Sequence, residues 1–327
     1  MSERPPTSHD VAREAGVSQS AVSRVFAEGA SVSPAMRARV EAAAARLGYR
    51  PSRLPAIMRS GKSDIVAVVI GGLYNPFHTM TLESFTLALA AAGKQTLVVR
   101  VDNDRDLDEA LGELVSLKVD GVLSALSVSS ALAAHELDRY RLPIVTLNSS
   151  VQSRWIRAVN SDNAEAGRHA AQLLHATGSR HFAGILGPAD TLSHSARALG
   201  FATRVQTFGE SSLQVSHGGY DYEWGRQEGT RLLGLAERPD GIFCGNDLIA
   251  FGLVDRWAEA GLYAPRDFRI IGYDNMPSAA WSRFALTSFD QNTDVMARSA
   301  IELLLRFDED APCTRVIEPR LVRRASC

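Results

Sequence analysis

The sequence predicts a small all-α helix-turn-helix head joined to a two-lobed α/β body built on parallel sheets with helices on both faces. Three observations carry that prediction. Short capped helices crowd the first 50 residues, apolar runs of strand length alternate with helical stretches through residues 64–327, and the charge changes sign between the two regions. Residues 1–62 hold ten basic groups against five acidic, net +5, while the remainder is −7, so the total of −2 conceals a basic end and an acidic body. A basic end suits contact with phosphate while an acidic body stays off it.

Thr7 caps a first helix over residues 8–15, and Asp10, three residues on, completes a capping box at the electropositive helix start. Gly16 stops it, and Ser18 caps a second helix after a tight turn, which is the helix-turn-helix plan. Val11, Ala12, Ala15, Val22, Val25 and Phe26 supply the inward face. Ser33, with Pro34 at the first helical position, starts a third helix in which Met36, Val40, Ala43 and Leu47 recur at helical spacing before Gly48. The second helix leaves Gln19, Ser20, Ser23 and Arg24 off the apolar face, near the amino-terminal end that meets bases and phosphates in a recognition helix. A plain helical bundle with a solvated face has the same pattern; the concentrated positive charge favours DNA.

The run DVAREAGVSQSAVSRVFAEGASVSPAMRARVEAAAARLGYRPSRL, Asp10 to Leu54, resembles the head of the LacI/GalR family of bacterial transcription regulators. The resemblance implies that Gln19 and Ser20 read bases in the major groove and that Ser18, Ser23, Arg24 and Tyr49 belong to the same DNA-binding set. Two positions depart from it: Ala21 stands where the family usually has Thr and Ala27 where it has Asn, each removing a polar contact to the DNA backbone. The head is taken as residues 1–50 and the linker as 51–63. In the family this linker is a hinge helix that forms on DNA and wedges an apolar side chain into the minor groove, which assigns Arg53 and Met58 to the DNA-binding set. Met58 replaces the usual Leu, and methionine can also serve as a wedge. With Ser52 as cap, Pro55 falls at N3, whose N–H lacks an intrahelical partner in any helix. Two turns are well below the roughly 12 to 15 residues that an isolated helix needs, so this one is expected to fold only against DNA and a second copy.

The body opens with the apolar run 65–70, short and continuous as in a strand buried on both faces. Similar runs at 96–101, 121–126, 144–147, 182–186, 213–216, 241–244, 269–273 and 286–289 alternate with helical stretches near 79–92, 106–117, 163–177, 194–208, 223–235, 247–260 and 294–306. Such alternation implies parallel sheets. A body of this length exceeds what one core usually holds, which predicts two lobes, about 64–159 plus 291–312 and 160–290 plus the carboxy-terminal segment. Ligands in such architectures bind at the carboxyl ends of strands. The resemblance extends here through NPFH at 75–78, NSDNAEAG at 160–167, SARALGF at 195–201, CGND at 244–247 and IIGYDN at 270–275, which are similar to the family's periplasmic-binding-protein-like effector domain. It implies that Arg197, Asn246 and Asp274 clamp an effector, with Phe77, Asn148, Ser193, Tyr220 and Gln291 around them. Donors and acceptors of these kinds suit vicinal hydroxyls, which points to a sugar or sugar derivative. His78 and Trp224 stay unassigned.

An enzyme is the competing class for any α/β body. The sequence shows no glycine-rich phosphate loop with lysine, no nucleophile elbow and no His/Cys/carboxylate set at metal spacing, so neither catalysis nor a cofactor or metal is expected. A secreted solute-binding protein shares the body, yet MSERPPTSHD lacks the apolar segment of a signal peptide. Cys244, Cys313 and Cys327 are odd in number and far apart, as suits reduced cytoplasmic thiols, and no run approaches a membrane span. The expected protein is a cytoplasmic repressor that binds a palindromic operator in double-stranded DNA as a homodimer, joined through the helices near 81–92 and 248–260. Without a heptad tail, a tetramer is not expected. The same scaffold could answer to a nucleobase or organic acid, or bind solute without a regulatory role.

Overall fold

The computed structural model describes residues 4–27, 30–52, 57, 61–73, 75–101, 110, 112–126, 131–308 and 314–327. They form two units, Met1–Ser63 and Asp64–Cys327.

The first unit holds α1 (Ser8–Ala15), α2 (Gln19–Val25) and α3 (Pro34–Leu47). The capping box is formed: Asp10 N donates to Thr7 Oγ1, and the Asp10 carboxylate accepts from Thr7 N at 3.0 Å and Thr7 Oγ1 at 2.7 Å. These bonds, with Arg4 and Arg13 nearby, hold the Asp10 carboxyl below its ordinary range. Gly16 ends α1 at φ 60°, a left-handed conformation that costs glycine little. Val11, Val22, Val40 and Ala43 are fully buried at the shared core. Leu47, expected inside, is 36% exposed; the end of α3 is instead sealed by Tyr49, whose ring packs against Phe26 with centroids 6.1 Å apart.

The second unit contains two six-stranded sheets. The first joins β1 (Ile65–Ile70), β2 (Gln95–Arg100), β3 (Gly121–Ser124), β4 (Ile144–Leu147), β5 (Ile156–Ser161) and β11 (Thr314–Ile317) in the order β11-β5-β4-β3-β1-β2. The second joins β6 (His181–Leu186), β7 (Ser212–His217), β8 (Gly241–Cys244), β9 (Arg269–Tyr273), β10 (Thr287–Asp290) and β12 (Arg320–Val322) in the order β12-β10-β9-β8-β6-β7. All pairings are parallel except that of β10 with β12. Helices α4 (Pro76–Ala91), α5 (Ala131–Leu137), α6 (Asn163–Ala176), α7 (Leu192–Val205), α8 (Tyr222–Leu233), α9 (Asp247–Glu259) and α10 (Thr293–Leu305) follow in chain order.

Burial explains why the central strands read as unbroken apolar runs. Val66 and Val68 pack on one side with Phe85, Leu89 and the α10 residues Met296, Ala297, Ala300, Ile301 and Leu304. Ala67 and Val69 pack on the other with Leu114, Ala134 and Leu137. Each sheet face is thus covered, as parallel sheets require.

Three strands escaped the sequence reading. In β5 the apolar run is broken by Arg157, which is nevertheless buried, its guanidinium donating to the carbonyls of Ser153, Arg154 and Ile156 and to that of Asp308. Strands β11 and β12 are short edge strands, each with one arginine among three or four residues. Helix α5 was also unread, and the helix expected at 106–117 lies partly outside the described residues, with 110 and 112–116 helical. The lobe boundaries shift accordingly: the first lobe runs through Ser161 and takes β11, which pairs with β5, so only the chain from β12 onward completes the second. Among the described residues the chain crosses between the sheets at Ser161–Asn163, Asp290–Thr293 and Ile317–Arg320. Two crossings are tied together by Asn292 Nδ2, which donates to Glu318 O at 2.8 Å.

Helices α6 and α7 touch backbone to backbone. A β-carbon on Gly200 would lie 2.0 Å from Ala164 O, and one on Gly167 2.3 Å from Arg197 O. Only glycine allows that approach, and it fixes where the first turns of α7 sit.

Candidate functional site

A cavity of about 390 Å³ opens in the second unit, lined by the segments that follow β1, β3, β4, β6, β7, β8, β9 and β10. Crossovers that return each strand in the same direction place these carboxyl ends together. Phe77, Asn148, Ser193, Arg197, Tyr220, Asn246, Asp274 and Gln291 all line it. Asn75, His78, Asp190 and His194 line it as well, beyond the set expected from sequence.

The polar lining is one connected web. Arg197 is 3% exposed; its Nε donates to Asn163 Oδ1 at 2.7 Å, Nη1 donates to Gly245 O, and its guanidinium lies 3.5 Å above the centre of the Tyr273 ring. Asp274 is held at φ 100°, with its N–H on Phe289 O and its Oδ1 accepting from Gln291 Nε2 at 2.7 Å. Burial raises the Asp274 carboxyl to about 6, opposed by Arg197 and by the bond from Gln291. Gln291 Oε1 in turn accepts from Asn148 Nδ2 at 3.1 Å, and Asn148 Oδ1 accepts from Ser161 N at 3.0 Å. The web therefore runs from a carboxylate on the second lobe to β4 and β5 of the first.

Asn246 has a more structural place than its sequence position implied. It caps α9 through Oδ1, which accepts from Ile249 N at 2.9 Å, and its Nδ2 donates to Tyr220 O at 2.7 Å, so it holds Tyr220 at the cavity wall. Beneath the cleft Asp247 is fully buried and accepts from Met276 N at 2.7 Å and Ser288 Oγ at 2.6 Å. Burial, and then Asp274 beside it, pushes that carboxyl well above its ordinary range.

The two histidines differ in their surroundings. His194 Nδ1 accepts from Gly187 N at 2.8 Å, and the ring stands edge-on to Tyr220 with centroids 5.0 Å apart. Burial, then Arg197 and His217, drives its pKa well below the ordinary value. His78, tilted against Phe77, keeps Nδ1 buried without a hydrogen bond, and burial lowers its pKa. Among the described residues no group of three His, Cys, Asp or Glu side chains could hold a metal ion, and no helix is long and apolar enough to cross a membrane.

In the first unit, Ser18, Gln19, Ser20, Ser23 and Arg24 are exposed. Ser18 Oγ caps α2 by accepting from Ala21 N at 3.2 Å and lies 2.9 Å from Ser20 Oγ, while Gln19 Nε2 donates to Ser8 Oγ at 3.0 Å. Ala21 is buried, and Tyr49 is half-buried against Phe26. Arg53, Pro55 and Met58, and with them most of the expected hinge helix, lie outside the described residues.

Residues 7–52 match the family of bacterial regulatory proteins, lacI family, and residues 171–327 match the periplasmic binding protein-like domain. The HTH-type transcriptional regulator CelR of Thermobifida fusca is 29% identical over 335 residues, covering 99% of this chain and 98% of that protein. The ribose operon repressor of Escherichia coli (strain K12) is 28% identical over 304 residues, covering 91% and 92%. Among solved structures, a CelR–cellobiose complex matches with TM-score 0.72 at 29% identity, covering 98% of this chain and 100% of that one. The lac repressor bound to ONPG in its repressed state matches with TM-score 0.89 at 22% identity, covering 99% and 100%, a likeness of fold.

Proposed function

Because the chain belongs to the lacI family of bacterial regulatory proteins, we propose that it is a transcriptional repressor that binds a palindromic DNA operator as a homodimer and answers to a sugar-like effector. The observation that carries this reading is the pairing, in one chain, of an exposed capped helix bearing Gln19, Ser20, Ser23 and Arg24 with a body whose cavity is lined by Arg197, Asp274 and Gln291. The names of relatives support it: one is a ribose operon repressor, and another is described in complex with cellobiose. Effector binding reorients the lobes and changes operator affinity; a coupling of about 1 to 3 kcal/mol corresponds to roughly 5- to 150-fold. Dimerisation along the body is supported by apolar side chains left in solvent, Leu87 on α4 at 64% and Val98 on edge strand β2 at 48% in the first lobe, and Trp281 at 62% in the second. Helix α9 offers less of the expected surface, since most of its apolar residues are buried in its own lobe.

Selection of DNA from a random pool by the full chain tests the reading. The expected product is a palindromic consensus, bound more weakly by Arg24→Ala at every sequence; a pool without enrichment refutes it. Arg197→Ala and Asp274→Ala are expected to bind the selected operator normally and to lose all response to the effector. A normal response in either variant would move the effector site elsewhere.

A further inference from the structure

The cleft is lined by a buried histidine that the family resemblance does not assign to the site. His194 stands in the first turn of α7, and its ring fills the space left by two glycines: a β-carbon on Gly245 would come within 2.5 Å of Nδ1, and one on Gly187 within 3.0 Å of Cε1. The bond from Gly187 N–H occupies the Nδ1 lone pair, which places the single proton of a neutral imidazole on Nε2. The one hydrogen bond of the His194 ring to a described residue is that at Nδ1, and Nε2 is not one of the fully buried atoms left without a partner, while the residue lines the cavity. The ring thus presents one fixed N–H donor that can neither rotate away nor switch tautomer without breaking a buried bond.

The charges around it are unequal. Arg197 brings one cation, already spread over Asn163, Gly245 O and the Tyr273 ring, whereas Asp190 and Asp274 bring two carboxylates. His78, on the first lobe, adds no charge in its buried neutral form. An entering anion therefore meets more negative than positive charge in a partly desolvated space. A hydroxyl fits better, because it can accept from His194 Nε2–H and donate to the Asp274 carboxylate; an ionised carboxylate can only accept.

We propose that His194 contacts the ligand and sets its class, donating from Nε2 to a hydroxyl of an uncharged sugar or polyol, so that sugar acids and sugar phosphates are rejected. This rests on the effector reading above and goes beyond it in ligand charge and contact residue.

The test titrates the full chain, followed by calorimetry, with ribose, glucose, galactose, cellobiose and sorbitol, and in parallel with gluconate, glucuronate, ribose 5-phosphate and glucose 6-phosphate. At least one neutral compound is expected to bind and none of the anions. His194→Phe, which keeps a ring but removes the donor, is expected to weaken binding of that compound about tenfold, the effect of roughly one buried hydrogen bond. His194→Gln, whose Nε2 can approach the same point, is expected to recover most of it. Tighter binding of an anion, full affinity in the Phe variant, or silence of every neutral compound overturns the proposal. Should His194→Phe fail to fold, ring-15N spectra of the wild type decide: the bound sugar must shift the His194 Nε2 resonance, and an unmoved resonance counts against the contact. Operator selection is scored separately, so intact DNA binding with silent sugars sinks only the ligand assignment, whereas sugar binding without operator selection sinks only the regulator reading.

Discussion

Asp274 shows how burial at one residue becomes a property that a pH titration can read. Its carboxyl sits at about 6 against an ordinary 3.8, so the folded chain holds the proton more tightly than the unfolded chain does. The resulting stabilisation is fully present below the ordinary value and is lost as pH rises through about 6. Asp247 is raised in the same sense and remains in place when Asp274 is replaced. Asp274→Asn is therefore expected to lose less stability than the wild type as pH rises from 4 to 6, read as the difference between their melting temperatures; parallel curves would place the shift elsewhere. The residues around Asp274 were legible for a simple reason. Polar side chains that follow buried apolar runs have few places to go except the carboxyl edge of a sheet, and Asn148, Asn246 and Asp274 follow such runs, whereas Gln291 follows the more polar β10. His194 was not legible, because its orientation depends on the absent side chains of Gly187 and Gly245, which are near it only after folding. Asn246 was legible in place, and the structure has it capping α9 and holding the wall at Tyr220.

At the scale of elements, the crossing of α6 and α7 couples packing to the cleft. Gly200 lies outside the cavity, yet a methyl group there collides with Ala164 O and pushes α7 outward. Gly200→Ala is expected to cost about 1 to 3 kcal/mol of stability, as overpacking generally does. It should also weaken ligand binding, since His194 and Arg197 ride on the same helix. A lowered melting temperature with unchanged ligand affinity would show that α7 accommodates the methyl group without shifting its first turns. The strands that the sequence hid were hidden for two physical reasons. Strand β5 is buried despite Arg157 because four backbone carbonyls satisfy the guanidinium, a compensation no local pattern encodes. Strands β11 and β12 sit at sheet edges, where one face and one side stay wet and the apolar signal is weak. By contrast α1 to α3 were readable almost to the residue, because caps and glycine stops act locally.

At the scale of the whole molecule, the segregation of charge predicts how DNA binding responds to salt. With ten basic groups in residues 1–62, operator affinity is expected to fall steeply and log-linearly as salt rises, while ligand affinity, governed by an uncharged contact, stays nearly flat. Met58→Ala, in the linker, is expected to weaken operator binding without changing either the ligand affinity or the salt slope, since an apolar wedge releases no counterions. An altered slope would recast position 58 as acting through the phosphate contacts. The three crossings between the sheets also govern how the chain matures on the ribosome. Residues 162–290 form the second lobe as one continuous stretch, lacking only its edge strand and the last residues. The sheet of β1 to β5 emerges earlier but must wait for Met296, Ala297, Ala300, Ile301 and Leu304 to cover one of its apolar faces. During synthesis that face is a target for chaperones over the whole interval in which the second lobe is being made. The lobe that is made first is covered only after nearly all of the other has been made.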